Sequence, residues 1–137
     1  MMGKSSTGVP SRQETEELFT LPPVATNSPP FLLPAGGSVV IPAQPSSSLS
    51  LGKKVAGYAA VDFLAISDQA MTLLVEEAND QSGPFVQVAS FASVVAGSFQ
   101  MIRQRVVPIG SFMRVTLSNT GGPETVLSFK GIGLPMT

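Results

Sequence analysis

Four oxygen-bearing side chains crowd one short stretch: Glu76, Glu77, Asn79 and Asp80. Such oxygens are the ligands calcium takes, but an EF-hand loop alternates its acids around a central Gly and closes on a distal Glu. This stretch lacks that spacing and reads as an ordinary polar turn, with no metal or cofactor expected. Arg103, Arg105 and Arg114 form a second group. Arg103 and Arg105 share one face of a strand, and Arg114 points outward from the next. A stripe of this kind is either a solvated sheet face paired with acids or a surface that docks a protein partner. Nucleic acid fits poorly, since only Phe99 and Phe112 are nearby for stacking and the net charge is −1. Catalysis finds less to work with. The chain has no His and no Cys, which removes the commonest general base, a thiolate nucleophile and Cys/His zinc sites. Serines and Lys53, Lys54 and Lys130 are present, but no motif joins a Ser to a Lys. Asp62 and Asp68 do not read as a carboxylate pair. The sequence is that of a non-enzyme.

The elements that position these residues follow a period of two. Met71, Leu73 and Val75 alternate with Thr72, Leu74 and Glu76, which places the first set on one face of a strand. Residues 79–84 break the pattern with Asn, Asp, Gly and Pro, as a hairpin turn requires. Phe85 to Phe91 is apolar on both faces apart from Gln87 and Ser90, so it is expected to lie between two layers. Val55 to Ala65 is a further strand, and Ser67-Asp68-Gln69 a turn. Phe99 to Val107 is a strand stopped by Pro108. Phe112 to Asn119 sends Met113, Val115 and Leu117 inward. Thr125 to Ile132 closes the series with Leu127 and Phe129 on one face. Six or seven short strands at spacings of roughly 8 to 12 residues predict an all-β fold, a small antiparallel β-sandwich of jelly-roll type, over residues 51–137.

Residues 1–50 differ. They hold Pro10, Pro22, Pro23, Pro29, Pro30, Pro34, Pro42 and Pro45, and no charge falls between Glu17 and Lys53. This composition predicts an extended Pro/Ser-rich N-terminal arm. Ser11 as N-cap with Glu14 three residues later suggests a short helix over Ser11–Phe19. The arm is unusually apolar for a linker. Leu21, Val24, Phe31, Leu32, Leu33, Val39, Val40 and Ile41 are read as anchors that order against a partner. On that reading, deleting residues 1–50 leaves the sandwich folded. By the same logic Arg114→Ala, at a solvated position, costs roughly 0.5 kcal/mol or less.

Only 12% of residues are charged and mean hydropathy is +0.30. Apolar surface left over on a small domain marks an interface, so a homo-oligomer is expected. No apolar run has membrane length, and no basic segment followed by an apolar one opens the chain as a signal peptide does. The sequence implies synthesis inside a cell and no membrane partner.

A resemblance adds to this. A strand ending Val-Glu-Glu (75–77), the turn Asn-Asp-x-x-Gly-x-Phe (79–85), Val-Ala-Ser-Phe (88–91) and Phe-Met-Arg-Val-Thr-Leu-Ser-Asn (112–119) resemble small β-sandwich proteins of tailed-bacteriophage virions. That family includes head decoration (cement) proteins and neck, tail and fibre components. The resemblance implies a virion location and a partner in the major capsid protein or another virion protein. The alternative it implies is a tail, neck or baseplate module that recognises carbohydrate. Sugar sites favour exposed aromatics, and this chain has no Trp and one Tyr, Tyr58.

Overall fold

The computed structural model describes residues 14–22, 31–44 and 51–136. Among these residues eleven strands run in chain order: β1 (Glu16–Thr20), β2 (Phe31–Leu33), β3 (Ser38–Ile41), β4 (Lys53–Lys54), β5 (Tyr58–Ser67), β6 (Met71–Ala78), β7 (Val86–Ala92), β8 (Val94–Ala96), β9 (Phe99–Val106), β10 (Phe112–Asn119) and β11 (Thr125–Pro135). They form two antiparallel sheets. Sheet A has the order β1-β11-β5-β9-β8, with β2 also paired to β11; sheet B has the order β3-β10-β6-β7, with β4 also paired to β10. The β-sandwich predicted from alternation is the observed fold.

The two sheets close over one core. Met71, Leu73 and Val75 of β6 and Met113, Val115 and Leu117 of β10 are all within 1% of full burial. They face Val61, Phe63 and Ala65 of β5, Ile102 of β9, and Leu127 and Phe129 of β11. An aromatic column runs through the sheet A side. Phe19 and Phe63 lie 5.6 Å apart at 49°, and Phe63 stacks on Phe129 at 6.0 Å. Gly131 and Gly133 leave room for it. A Cβ at Gly131 would stand 2.9 Å from the Phe63 ring and 3.0 Å from Phe19 Cβ, and one at Gly133 would meet Leu18 and Tyr58 at 2.6 Å. Small residues are therefore required where β11 passes beneath these rings.

The N-terminal segments depart from expectation. Residues 16–20 are a strand, not part of a helix, and residues 31–33 and 38–41 are strands of the two sheets rather than a free arm. Ser11 lies outside the described residues. Local capping chemistry loses here to tertiary packing. Leu18 and Phe19 are consecutive yet both buried, because a bulge against Gly131 and Ile132 of β11 turns both inward. Leu33 and Ile41, read as partner anchors, are each 3% exposed and belong to this chain's own core. Leu21, Phe31 and Val39 pack partly against it. Val40 is half-buried beside Thr116, Leu32 is 48% exposed, and Val24 lies outside the described residues.

Asn119 ties these segments to the end of sheet B. Its side-chain amide donates to the carbonyls of Leu33 (3.2 Å), Pro34 (3.2 Å) and Pro123 (2.9 Å), and its oxygen accepts from the Gly121 N–H. The strand β7 is a second departure. It is an edge strand with Val86 and Val88 exposed, not a strand between layers. An all-apolar run has the same pattern whether it is covered or is an open edge.

Two consequences are measurable. Gly131→Ala pushes a methyl into two buried rings and lowers stability by about 1–3 kcal/mol in denaturant melts. Deleting residues 1–50 removes Leu18, Phe19, Leu33 and Ile41 from the core, so residues 51–137 alone lose the cooperative thermal transition of the full chain. A fragment melting like the full chain would refute that placement.

Candidate interaction surface

The arginines separate by sheet. Arg103 and Arg105 stand on the outer face of sheet A, where β9 pairs with β5. Arg114 stands on β10, in sheet B. The chain crosses between sheets after β9, so consecutive strands present opposite sides of the sandwich. Arg114 is not a solvated residue. Its guanidinium pairs with Glu76 at 2.8 Å, with side chains only 17% and 18% exposed, and lies 4.2 Å from the centre of the Phe85 ring. Phe85 in turn packs against Gly52, where a Cβ would come within 2.9 Å of the ring. This cluster holds the start of β4 and the β6–β7 turn against sheet B.

Arg105 pairs with Asp62 through two N–H···O bonds of 2.7 and 2.9 Å. The hydrogen bond from Arg105 holds the Asp62 carboxyl below the usual carboxylate range, with Coulomb attraction from Arg105 and Arg103 adding to it. Arg103 has no ion-pair partner among the described residues, nor does Lys130. The register places Arg103 and Lys130 on either side of Leu64, in one row across β9, β5 and β11. The neighbouring row is Arg105, Asp62, Ile132 and the exposed Glu17. A shallow depression of about 390 Å³ lies between these rows.

The same face turns apolar toward its other end. Ile66 pairs with Met101, Met101 with Val94, and Leu32 with Val126. Phe99 lies two residues from Met101 on the same face, 53% exposed. The outer face of sheet A is thus amphipathic, with unpaired cations beside an apolar band. Periodicity showed that Arg103 and Arg105 share a face; Lys130 and the apolar band become visible only with strand order.

The acidic turn does not assemble into a cluster. Glu76 points outward to Arg114, while Glu77 points inward and accepts the N–H groups of Ile109 (3.0 Å) and Gly110 (2.7 Å). Strand alternation sends adjacent carboxylates to opposite faces. Among the described residues no group of three or more His, Cys, Asp or Glu side chains is placed to hold a metal ion. Tyr58 is 8% exposed and its hydroxyl donates to Glu16.

No protein-family model matches this sequence, and no curated protein matches it. Among solved structures it is similar to the PBSX exported protein XepA, at 17% identity and a TM-score of 0.60, over 90% of this chain and 37% of that one. The structure of PirA aligns at 16% identity and a TM-score of 0.40, over 75% of this chain and 88% of that one. The chain spans little more than a third of XepA's length, and what the two demonstrably share is the fold.

Two measurements test this description. Arg114→Ala removes a partly buried ion pair and a ring contact, and is expected to cost about 1–2 kcal/mol rather than the small loss of a solvated site. Arg114→Lys restores only part of that loss, because an ammonium is not a planar fork. The lowered Asp62 carboxyl fixes a pH dependence. A group whose folded pKa is depressed stabilises above its unfolded value, near about 3.9, and that contribution disappears as pH falls through the folded value. The difference in denaturation midpoint between the native chain and Asp62→Asn therefore shrinks below pH about 4. A constant difference down to the acid limit would refute the pairing.

Proposed function

We propose that this chain is a structural protein of a bacteriophage particle, specifically a capsid decoration or cement protein that binds across neighbouring major capsid subunits and stabilises the shell. The observation that carries the reading is the amphipathic outer face of sheet A. A six-strand face with Arg103 and Lys130 free of ion pairs among the described residues, beside exposed Leu32, Val94, Phe99 and Val126, suits a broad protein contact. The fold shared with the phage-related XepA supports a phage setting. Of the docking residues expected on sequence, Arg103 and Leu32 serve the contact, joined by Lys130, while Leu33, Ile41 and Arg114 hold the chain's own structure. The mechanism is adhesive and requires no catalysis, nucleic acid or membrane. Cations steer the approach to an acidic patch on the shell, and the apolar band is buried on contact. The tail or baseplate sugar-binding reading is weaker, because the single Tyr is buried and hydrogen-bonded.

The test uses particles assembled without this protein. Purified full chain is added, particles are sedimented, and bound copies are counted across a salt series. The native chain is expected to bind at a fixed number of copies per particle. The double variant Arg103→Glu, Lys130→Glu loses at least about tenfold in affinity, and the loss shrinks at high salt. No binding by the native chain, or equal binding by the variant, would refute the reading.

A further inference from the structure

A second surface lies at the end of the sandwich where the β6–β7 hairpin turns. A groove of about 680 Å³ opens there between the β7 edge and the loop after β9. Its walls include Val86, Val88, Val107 and Ile109, which are 63%, 49%, 65% and 94% exposed. Ile109 is held in this position by its backbone. Glu77, only 9% exposed, accepts the N–H groups of Ile109 and Gly110 on one carboxylate oxygen. A Cβ at Gly110 would stand 3.0 Å from the Ala78 carbonyl oxygen, so the loop lies directly on β6. A buried carboxylate thus fixes a loop whose apolar tip projects into water. In a lone chain that exposed apolar tip opposes stability.

The edge beside the groove also carries no charge. Natural edge strands carry charges, prolines or bulges that discourage association. Here β1 has Glu16 and Glu17, and β4 has Lys53 and Lys54. No charged residue occurs between Asp80 and Arg103, a run that includes all of β7 and β8. The register shift opposite Val75 and Glu76 puts a bulge at Val88. That bulge interrupts a regular ladder, so a partner meets this edge through side chains rather than as an added strand.

We propose that the groove and its Ile109 tip form a contact between copies of this chain. Charge selects the occupant. The groove lining has no cation; its buried carboxylate, Glu77, already has two donors, and its other acid, Asp80, is exposed to solvent. An acidic partner segment would be desolvated there without a counterion, whereas the largely apolar patch of a second copy matches it. The patch also supplies both shapes required, a hollow beside Val86 and Val88 and a projecting, pre-ordered isoleucine. The charge content of 12% and mean hydropathy of +0.30 point the same way. This contact does not rest on the phage reading, and it uses a different surface.

The test is sedimentation velocity of the purified full chain, from about 1 to about 100 μM, a range that brackets contacts of ordinary strength. The native chain is expected to sediment as a dimer or larger assembly that dissociates on dilution. Ile109→Asp and Val88→Lys each raise the dissociation constant at least about tenfold. Val126→Lys, on the outer face of sheet A, leaves it unchanged. Circular dichroism and thermal melts identify any variant that misfolds, and Ile109→Ala then serves in its place. A monomeric native chain, groove variants that assemble like the native chain, or dissociation by Val126→Lys as well would overturn the proposal.

Discussion

The structure depends on two side chains that β11 does not have. This strand pairs with β5 along one edge and with β1 and β2 along the other. At residues 131 and 133 any Cβ would collide with Phe63 and Phe19, or with Leu18 and Tyr58. The missing atoms let Phe19 and Phe63 approach to 5.6 Å, which docks β1 onto the sheet. Interior packing of this density leaves little room to relax. The alternation that puts Gly131 and Gly133 inside also puts Lys130 and Ile132 outside, in register with Leu64 and Asp62. The outward position of Lys130 is therefore set by the packing of rings beneath it.

How far the sequence could be read follows from what periodicity encodes. Strands β6, β10 and β11 alternate between a solvated and a buried face, and their inward residues were legible one by one. The N-terminal strands were not. Their prolines suggested a free arm, yet Pro34 and Pro42 immediately follow β2 and β3. A residue without an N–H ends a strand as readily as it prevents one. The helix signal at Ser11 and Glu14 was local, and the partner that overrides it, β11, lies more than a hundred residues along the chain. Strand β7 was legible as a strand but not as an edge, since its composition does not say what covers it. The arginine stripe failed for a related reason. Spacing fixes the face of a strand, not the sheet to which the strand belongs.

The two surfaces differ in chemistry. The outer face of sheet A combines cations with an apolar band, which suits a partner of opposite charge and tolerates salt poorly. The groove beside β7 has almost no charge, so contacts there depend on shape and burial. One chain can present both because the sheets diverge in sequence at Ser93. Its backbone N–H donates to the Met71 carbonyl and its hydroxyl accepts the Met71 N–H, which fixes the crossing from β7 to β8. The edges of the two sheets thus separate at a defined point, leaving the groove on one side of that crossing and the apolar band on the other.

Net charge conceals this division. The total is −1, which suggests no electrostatic preference. Within the described residues, however, several anions are already engaged. Asp62 is bound by Arg105, Glu76 by Arg114, and Glu77 by two backbone N–H groups. Asp68 accepts from the Thr125 hydroxyl and the Val126 N–H, which hold its carboxyl below the usual range. An anion paired with an arginine, as Asp62 and Glu76 are, contributes little field at a distance. Arg103 and Lys130, by contrast, keep their charge directed outward, on the same side and in the same row. With Asp62 paired to Arg105, Arg103 and Lys130 outnumber Glu17, the exposed acid beside Ile132, so that face carries a cationic excess although the chain as a whole is slightly acidic.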